Sequence, residues 1–342
     1  MCGIFGISKK ELTPINFDNV IKDIEHYVNS SQKRGSDTFG LSFKLDDEII
    51  LYKANEKPLS SIKRKNYIEF LHKFLKPKID KNLLMIGQTR LVTNGSKFSY
   101  FNNQPVETKN IIGIHNGIFT NLEEENSEKT KNYESYDVKS DSLIFFENIS
   151  NLSSNENFLK DFFNYLKNMI GNFSIAFYLQ NENKIFISSN CGSLFYYYDN
   201  EIFTFASEKE FIIDYLRNSN LINKKDIKEE KIKKCLNEIV IFDLDNQELK
   251  EFDLKGEFKD LNINIDYKKK LNVQNNFNYE QNKLKNLNRC SKCILPETYP
   301  FIKFNSKNIC NYCENYEKQN FFGEEKLFKF LESYRSKNGE PD

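Results

Sequence analysis

The chain has 342 residues, and its 49 lysines and arginines are balanced by 49 aspartates and glutamates. That balance excludes a global field drawing in nucleic acid or an anionic membrane, and it favours small neutral or zwitterionic substrates. No run of about 18 apolar residues is present to span a membrane, and Lys9, Lys10 and Glu11 interrupt the apolar start before it reaches signal-sequence length, so a cytoplasmic protein is expected.

In chain order, CGIFGI, GLSFKL, EIILYKA, LLMIGQTRL, NIIGIHNGIF, FSIAFYL, KIFISS, LFYYYD, IFTFAS and EIVIFDL are short, β-branched and aromatic, and punctuated by polar residues or glycine. Each reads as a strand. Helical periodicity falls between them over 17–33, where Val20, Ile21, Ile24 and Tyr27 share a face, and over 59–75, 138–149, 155–170 and 207–216. Strands and helices in blocks predict an α+β domain of packed sheets covered by helices, running over 1–245. Residues 123–136 read as a solvated segment. Residues 246–288, rich in Lys, Asn, Asp and Gln without a period, read as a polar linker or arm. A small cysteine-bearing module follows over 289–316, and 317–342 begins with a helix carrying Leu327, Phe328, Phe330 and Leu331.

Of the seven cysteines, Cys191 and Cys235 read as packing residues of a reducing compartment. Cys290 and Cys293 are separated by sixteen residues from the pair Cys310 and Cys313, within the spacing of a tetrahedral four-cysteine zinc site. Four thiolates fill the coordination shell of zinc, so a structural rather than catalytic ion is expected.

Cys2 stands one peptide bond from the start. Once Met1 is removed it would carry a thiol titrating near ~8.5 and an α-amine near ~7.7–8.0, nucleophile and base in one residue; the plainer reading is a small hydrophobe opening a buried strand. Arg34 and Asp37, in Arg-Gly-Ser-Asp-Thr-Phe-Gly, read first as a turn with a structural ion pair. Arg90, in Gly-Gln-Thr-Arg-Leu-Val-Thr-Asn-Gly with Thr93, leaves a strand into a loop where its planar fork fits a carboxylate, or equally a surface ion pair. Asn116-Gly117 signals a hairpin turn, or else an amide and a backbone N–H aimed at an oxyanion, each such donor contributing about 2.7–4 kcal/mol to catalysis. Asp141, between two serines, is either a carboxylate favoured by a helix N-terminus or a partner for an ammonium group.

In their order, MCGIFGI, RGSDTFG, GQTRLVTNG, HNGIFTN and SDS resemble the class II glutamine amidotransferase domain of the N-terminal-nucleophile hydrolases, over roughly 1–245. The resemblance implies a four-layer αββα sandwich. It implies Cys2 attacking the glutamine carboxamide, Asn116 and Gly117 forming the oxyanion hole, Arg90 holding the α-carboxylate with Thr93 nearby, and Asp141 holding the α-ammonium. Arg34 and Asp37 belong to the loop-closing motif. Gln88 and Asn94 stand where many members have other residues, and Ser189-Asn190-Cys191-Gly192 replaces a common Arg-Asp-x-x-Gly. His26, His72 and His115 are expected to have no catalytic part.

The tail, CSKCILPETYPFIKFNSKNICNYCENY and onward, resembles the start of the N-acetyl sugar amidotransferases. These lead into an ATP-pyrophosphatase domain, and they imply amidination of an N-acetylated sugar in surface polysaccharide or nonulosonic-acid biosynthesis. No SGGxDS phosphate loop occurs, so no ATP site is expected in this chain and a synthetase in trans is the expected partner, alongside glutamine. Glutaminase parts of asparagine-synthetase-like or glucosamine-6-phosphate-synthase-like enzymes are the alternatives, and a non-catalytic zinc-bearing adaptor is the alternative of another class.

Overall fold

The computed structural model describes residues 2–11, 14–45, 48–93, 96–122, 140–199, 202–222, 227–258, 271–278, 287–297, 299–318 and 322–336. The predicted segment 123–136 lies outside them. Contacts divide the chain into two compact units, Met1–Tyr279 and Glu280–Asp342.

In the first unit the elements run β1 (Gly3–Lys10), α1 (Phe17–Ser31), β2 (Thr38–Lys44), β3 (Glu48–Ala54), α2 (Pro58–Ser61), α3 (Lys65–Phe74), β4 (Asn82–Arg90), β5 (Val106–Glu107) and β6 (Ile111–Phe119). They continue as α4 (Asp141–Leu152), α5 (Phe158–Lys167), β7 (Gly171–Leu179), β8 (Lys184–Ser189), β9 (Phe195–Tyr198), β10 (Ile202–Ala206) and α6 (Lys209–Asn218). Four strands close the unit: β11 (Lys233–Lys234), β12 (Glu238–Asp243), β13 (Glu248–Asp253) and β14 (Asn272–Asn278).

The strands form an eight-stranded sheet ordered β11-β9-β10-β1-β4-β2-β3-β14 and a six-stranded sheet ordered β13-β12-β8-β7-β6-β5. Side chains alternate across each strand, so each sheet presents two faces to be buried. One face of the larger sheet, with Phe39 and Tyr52, packs under Val20, Ile24 and Tyr27 of α1, Phe70 of α3 and Ile212 of α6. The outer face of the smaller sheet, with Ile175 and Phe177, packs under Phe145 and Phe146 of α4 and Phe162 of α5. The remaining faces meet each other through Ile4 and Ile86 from one sheet and Ile112, Ile114, Ala176 and Ile187 from the other. Three apolar interfaces therefore stack helices, sheet, sheet and helices into the expected αββα sandwich. Strands buried on both faces explain why so many read as continuous apolar runs.

The sequence predicts a polar linker over 246–288; the structure instead places two strands there. β13 pairs antiparallel with β12 along its whole length, and β14 pairs parallel with β3. Both lie at sheet edges, where backbone hydrogen bonding holds a strand without an apolar alternation in its side chains. Cys235 is buried as expected, but Cys191 is exposed, its Sγ 3.6 Å from Ser174 Oγ. Among the described residues, no helix is long and apolar enough to cross a membrane.

The second unit holds bridges Arg289↔Pro296 and Phe304↔Cys310, a single-turn helix α7 (Asn311–Glu314) and α8 (Gly323–Glu332). Its apolar side chains are largely in solvent: Ile294, Phe301, Phe330 and Leu331 are all exposed.

Candidate active site and cysteine cluster

Cys2 is placed by the strand that follows it. β1 pairs with β4 so that Gly3 lies opposite Thr89, and Ile4 N–H donates to Ser207 Oγ at 2.8 Å. Arg34, leaving α1, donates from Nε to the Cys2 carbonyl at 3.1 Å, and its guanidinium pairs with Glu208. Asp37 does not merely close a turn. Its N–H donates to Arg90 O at 2.9 Å, and its Oδ2 accepts the N–H of Val92 at 2.9 Å, so it braces the loop that leaves β4.

Asn116 and Gly117 lie inside β6, whose pairing with β7 runs unbroken from Ile111 opposite Leu179 to Phe119 opposite Gly171, so this Asn-Gly pair makes no hairpin turn. Asn116 belongs to the face turned toward the larger sheet, with Ile112 and Ile114. There its Oδ1 accepts the Cys2 N–H at 2.8 Å. Because the carboxamide oxygen is used by that donor, the Nδ2 end is left as the donor end. Gly117 has φ +147°, and a Cβ built on it would stand 2.0 Å from Asn172 O. Gly117→Ala is therefore expected to destabilise the protein by about 1–3 kcal/mol or more, read by urea unfolding.

The Cys2 Sγ lies 3.8 Å from Leu91 O. Burial pushes its thiol above the ordinary value, with the backbone of Leu91 and then the charge on Arg90 opposing. Arg90 is itself buried, its Nη1 donating to Asn103 Oδ1 at 3.0 Å. Burial lowers the Arg90 pKa, and the opposing charges are Cys2, Asp141 and Asp37, in that order. Cys2, Asp141 and Asp37 thus lie within the electrostatic reach of Arg90. Asp141 opens α4 and bridges it to β6: Oδ2 accepts Phe119 N–H at 3.1 Å, and Oδ1 accepts Ser142 N–H at 2.8 Å. Asp141 is thus a helix-terminal carboxylate that also lies within the field of Arg90. Thr93 is exposed in the loop after Arg90, and Asn94 and Gly95 lie outside the described residues.

Sequence reasoning assigned no supporting role to the residues behind this set. Gln88 Nε2 donates to His115 O at 2.7 Å, and Gln104 Oε1 accepts His115 N–H at 2.5 Å while its Nε2 donates to Ser142 Oγ at 3.1 Å. His115 Nδ1 lies 2.9 Å from the same hydroxyl. Its ring stacks on Phe119, and burial lowers its pKa to about 4, with Asp141 opposing. The imidazole is thus packed against Phe119 and bonded to Ser142. Buried polar side chains in an apolar neighbourhood were the available signal: Gln88 lies within β4 and Gln104 shortly before β5, and both must be bonded when buried.

In the second unit, the Sγ atoms of Cys290, Cys293, Cys310 and Cys313 all lie within 4.8 Å of one another, with Cys293 to Cys310 at 3.5 Å and Cys290 to Cys313 at 3.9 Å. Four sulfurs each about 2.3 Å from one zinc stand about 3.8 Å apart at tetrahedral angles, so the cluster fits that ion. Backbone N–H groups of Lys292 and Cys310 donate to Cys290 Sγ at 3.4 and 3.2 Å, and Cys313 N–H donates to Cys310 Sγ at 3.4 Å. Such donors stabilise thiolate and orient it toward a metal.

Comparison with known families matches residues 89–214 to the glutamine amidotransferase domain. The match spans Arg90, Thr93, Asn116, Gly117 and Asp141, and Cys2 is joined to it by the β1–β4 pairing and the bond to Asn116. Residues 89–214 thus carry a glutamine amidotransferase domain, and glutamine is the substrate that such a domain implies. No curated protein matches the chain. Among solved structures, it is similar to glutamine phosphoribosylpyrophosphate amidotransferase from B. subtilis complexed with ADP and GMP, at 16% identity and a TM-score of 0.46. It is also similar to an allosteric regulatory enzyme of purine biosynthesis, at 16% identity and a TM-score of 0.49. Each comparison covers 77% of this chain and 50% of the other.

Proposed function

We propose that Cys2, freed of Met1, hydrolyses glutamine to glutamate and ammonia. The observation that carries the reading is the 2.8 Å bond from Cys2 N to Asn116 Oδ1. It sets the nitrogen that becomes the α-amine against one end of a carboxamide whose other end donates. The α-amine takes the thiol proton as Sγ attacks the carboxamide carbon, and Asn116 Nδ2 and Gly117 N–H receive the developing oxyanion. The α-ammonium then protonates the leaving nitrogen as the C–N bond breaks, releasing ammonia and leaving a thioester, which water cleaves to glutamate and free thiol. Arg90 and Thr93 hold the substrate α-carboxylate, and Asp141 holds its α-ammonium. Arg34 and Asp37 act behind them, on the Cys2 carbonyl and on the loop carrying Thr93. The convergence of Cys2 and Asp141 charges on Arg90 supports this division of the substrate.

Arg90→Ala is expected to raise the glutamine KM at least about tenfold, as loss of a charge-assisted contact does. An unchanged KM in a glutamate-release assay would rule out the carboxylate grip.

The ammonia, in this reading, amidinates an N-acetylated sugar through an ATP-using synthetase in trans, in surface polysaccharide or nonulosonic-acid biosynthesis, and the four tail cysteines hold a structural zinc. This destination rests on the tail sequence from Cys290 to Tyr316. Glutamine labelled with 15N at the amide, supplied with ATP, an N-acetylated nucleotide sugar and the synthetase, should place 15N in an acetamidino group. Label appearing only as ammonium or asparagine would reject it.

A further inference from the structure

Lys53 is 1% exposed, on β3 of the larger sheet. It shares the inward face of β3 with Ile49, which packs in the apolar layer between the sheets. Its Nζ donates to Asn103 O at 2.9 Å and to Tyr100 O at 3.2 Å, and stands 3.7 Å from the centroid of the Tyr100 ring. Two carbonyls and an aromatic face take up the three donor directions of the ammonium. Burial pulls the lysine down to about 7, with Glu107 opposing. Protonated or neutral, the amine has donors enough for both carbonyls, so the link persists through neutral pH.

The segment it holds leads to the substrate-binding residues. Asn103 is fully buried; its Nδ2 donates to Lys97 O at 2.6 Å and Ser99 O at 3.0 Å, which aims Oδ1 at Arg90 Nη1. The next residue, Gln104, reaches Ser142 Oγ, beside Asp141. The segment can come this close to the larger sheet only over Gly40, where a Cβ would stand 2.0 Å from Gln104 O. One short stretch thus touches the supports of both residues proposed to hold the ends of glutamine.

We infer that Lys53 is a positioning residue for glutamine binding: it anchors the 100–104 segment to β3, and through Asn103 it sets the direction in which Arg90 presents its guanidinium. This rests on the reading of Arg90 as the carboxylate grip. Lys53 touches neither Cys2 nor the oxyanion donors, so its removal acts on substrate binding rather than on the thiol.

The test uses the full chain with Lys53→Met, which keeps length and apolar volume but removes the donors, alongside Asn103→Ala, the double variant and Arg90→Ala. Glutamine KM is expected to rise about tenfold in Lys53→Met and in Asn103→Ala, the size of a lost bond to a charged group, while in these two kcat stays within about twofold and the rate of Cys2 alkylation by iodoacetamide is unchanged. Because both substitutions break one chain of contacts, the double variant should be no worse than the poorer single one. A folded Lys53→Met enzyme with wild-type KM overturns the inference. Should that variant fail to fold, a wild-type KM in Asn103→Ala does so. If Arg90→Ala itself leaves KM unchanged, the grip reading falls and this inference with it; if only Arg90→Ala raises KM, the grip stands and the role of Lys53 is rejected.

Discussion

Cys2→Ala is expected to release no glutamate from glutamine above the background of the assay, while unfolding at the same denaturant concentration as the parent. The large effect follows from the chemistry. A thioester route divides amide hydrolysis into two easier steps, and without Sγ no covalent intermediate forms. In the proposed mechanism Asn116 and Gly117 would still receive an oxyanion, but water would then be the nucleophile beside them. The small effect on folding follows from position. Cys2 precedes β1 and is only partly buried, and its hydrogen bonds run through its backbone, from N to Asn116 and from O to Arg34, apart from a 3.8 Å approach of Sγ to Leu91 O. Alanine keeps those backbone bonds, so the change in stability should stay within about 0.5 kcal/mol. Cys2→Ser separates the thiol from the geometry: a hydroxyl in the same place is a far weaker nucleophile at neutral pH, and glutamate release should fall steeply while glutamine still protects the site from proteolysis. A Cys2→Ala enzyme that retains the parent rate would remove Cys2 from the mechanism.

Much of this was legible from the chain. Apolar runs such as NIIGIHNGIF and FSIAFYL announced strands because both faces of each sheet are covered, and Val20, Ile24 and Tyr27 announced the helix they share. Of the residues in the five motifs, the fold bonds Cys2 to Asn116 and Arg34, and Asp37 to the loop after Arg90. Three things were hidden, each for a physical reason. β13 and β14 are polar edge strands, held by backbone pairing, which leaves little trace in side-chain pattern. Asn116-Gly117 carries the strongest local hairpin signal, and only the nine-residue pairing of β6 with β7 overrides it. The supports of the site, Lys53, Asn103 and Gln104, are specified by contacts across 13 to 50 residues of chain, which no local period encodes. Lys53 did leave a mark: a lysine on the inward face of EIILYKA had to find buried acceptors.

Removing metal from the second unit should have the other large effect. Among the described residues of that unit, Cys290 and Cys310 alone are buried, whereas Phe301 is 90% exposed and Tyr316 70%. With almost no apolar surface removed from water, side-chain packing cannot offset the entropy of ordering the segment. In the zinc reading the cluster supplies that free energy, since structural zinc in small modules contributes about 10–16 kcal/mol near neutral pH. Purified protein is therefore expected to hold about one zinc per chain, and Cys310→Ser to lose most of it. On adding a strong chelator, amide hydrogens over 290–313 should exchange at the rate of an unfolded chain, while those of β1, β4 and β6 stay protected. Ile294 and Asn308, both held at positive φ, with φ 65° and 59°, mark where the chain bends around the cluster. A β-branched residue rarely keeps that conformation unless its surroundings impose it, so the amides about Ile294 should be among the first to lose protection. Full protection of 290–313 in demonstrably metal-free protein would mean that the four cysteines hold the segment without an ion.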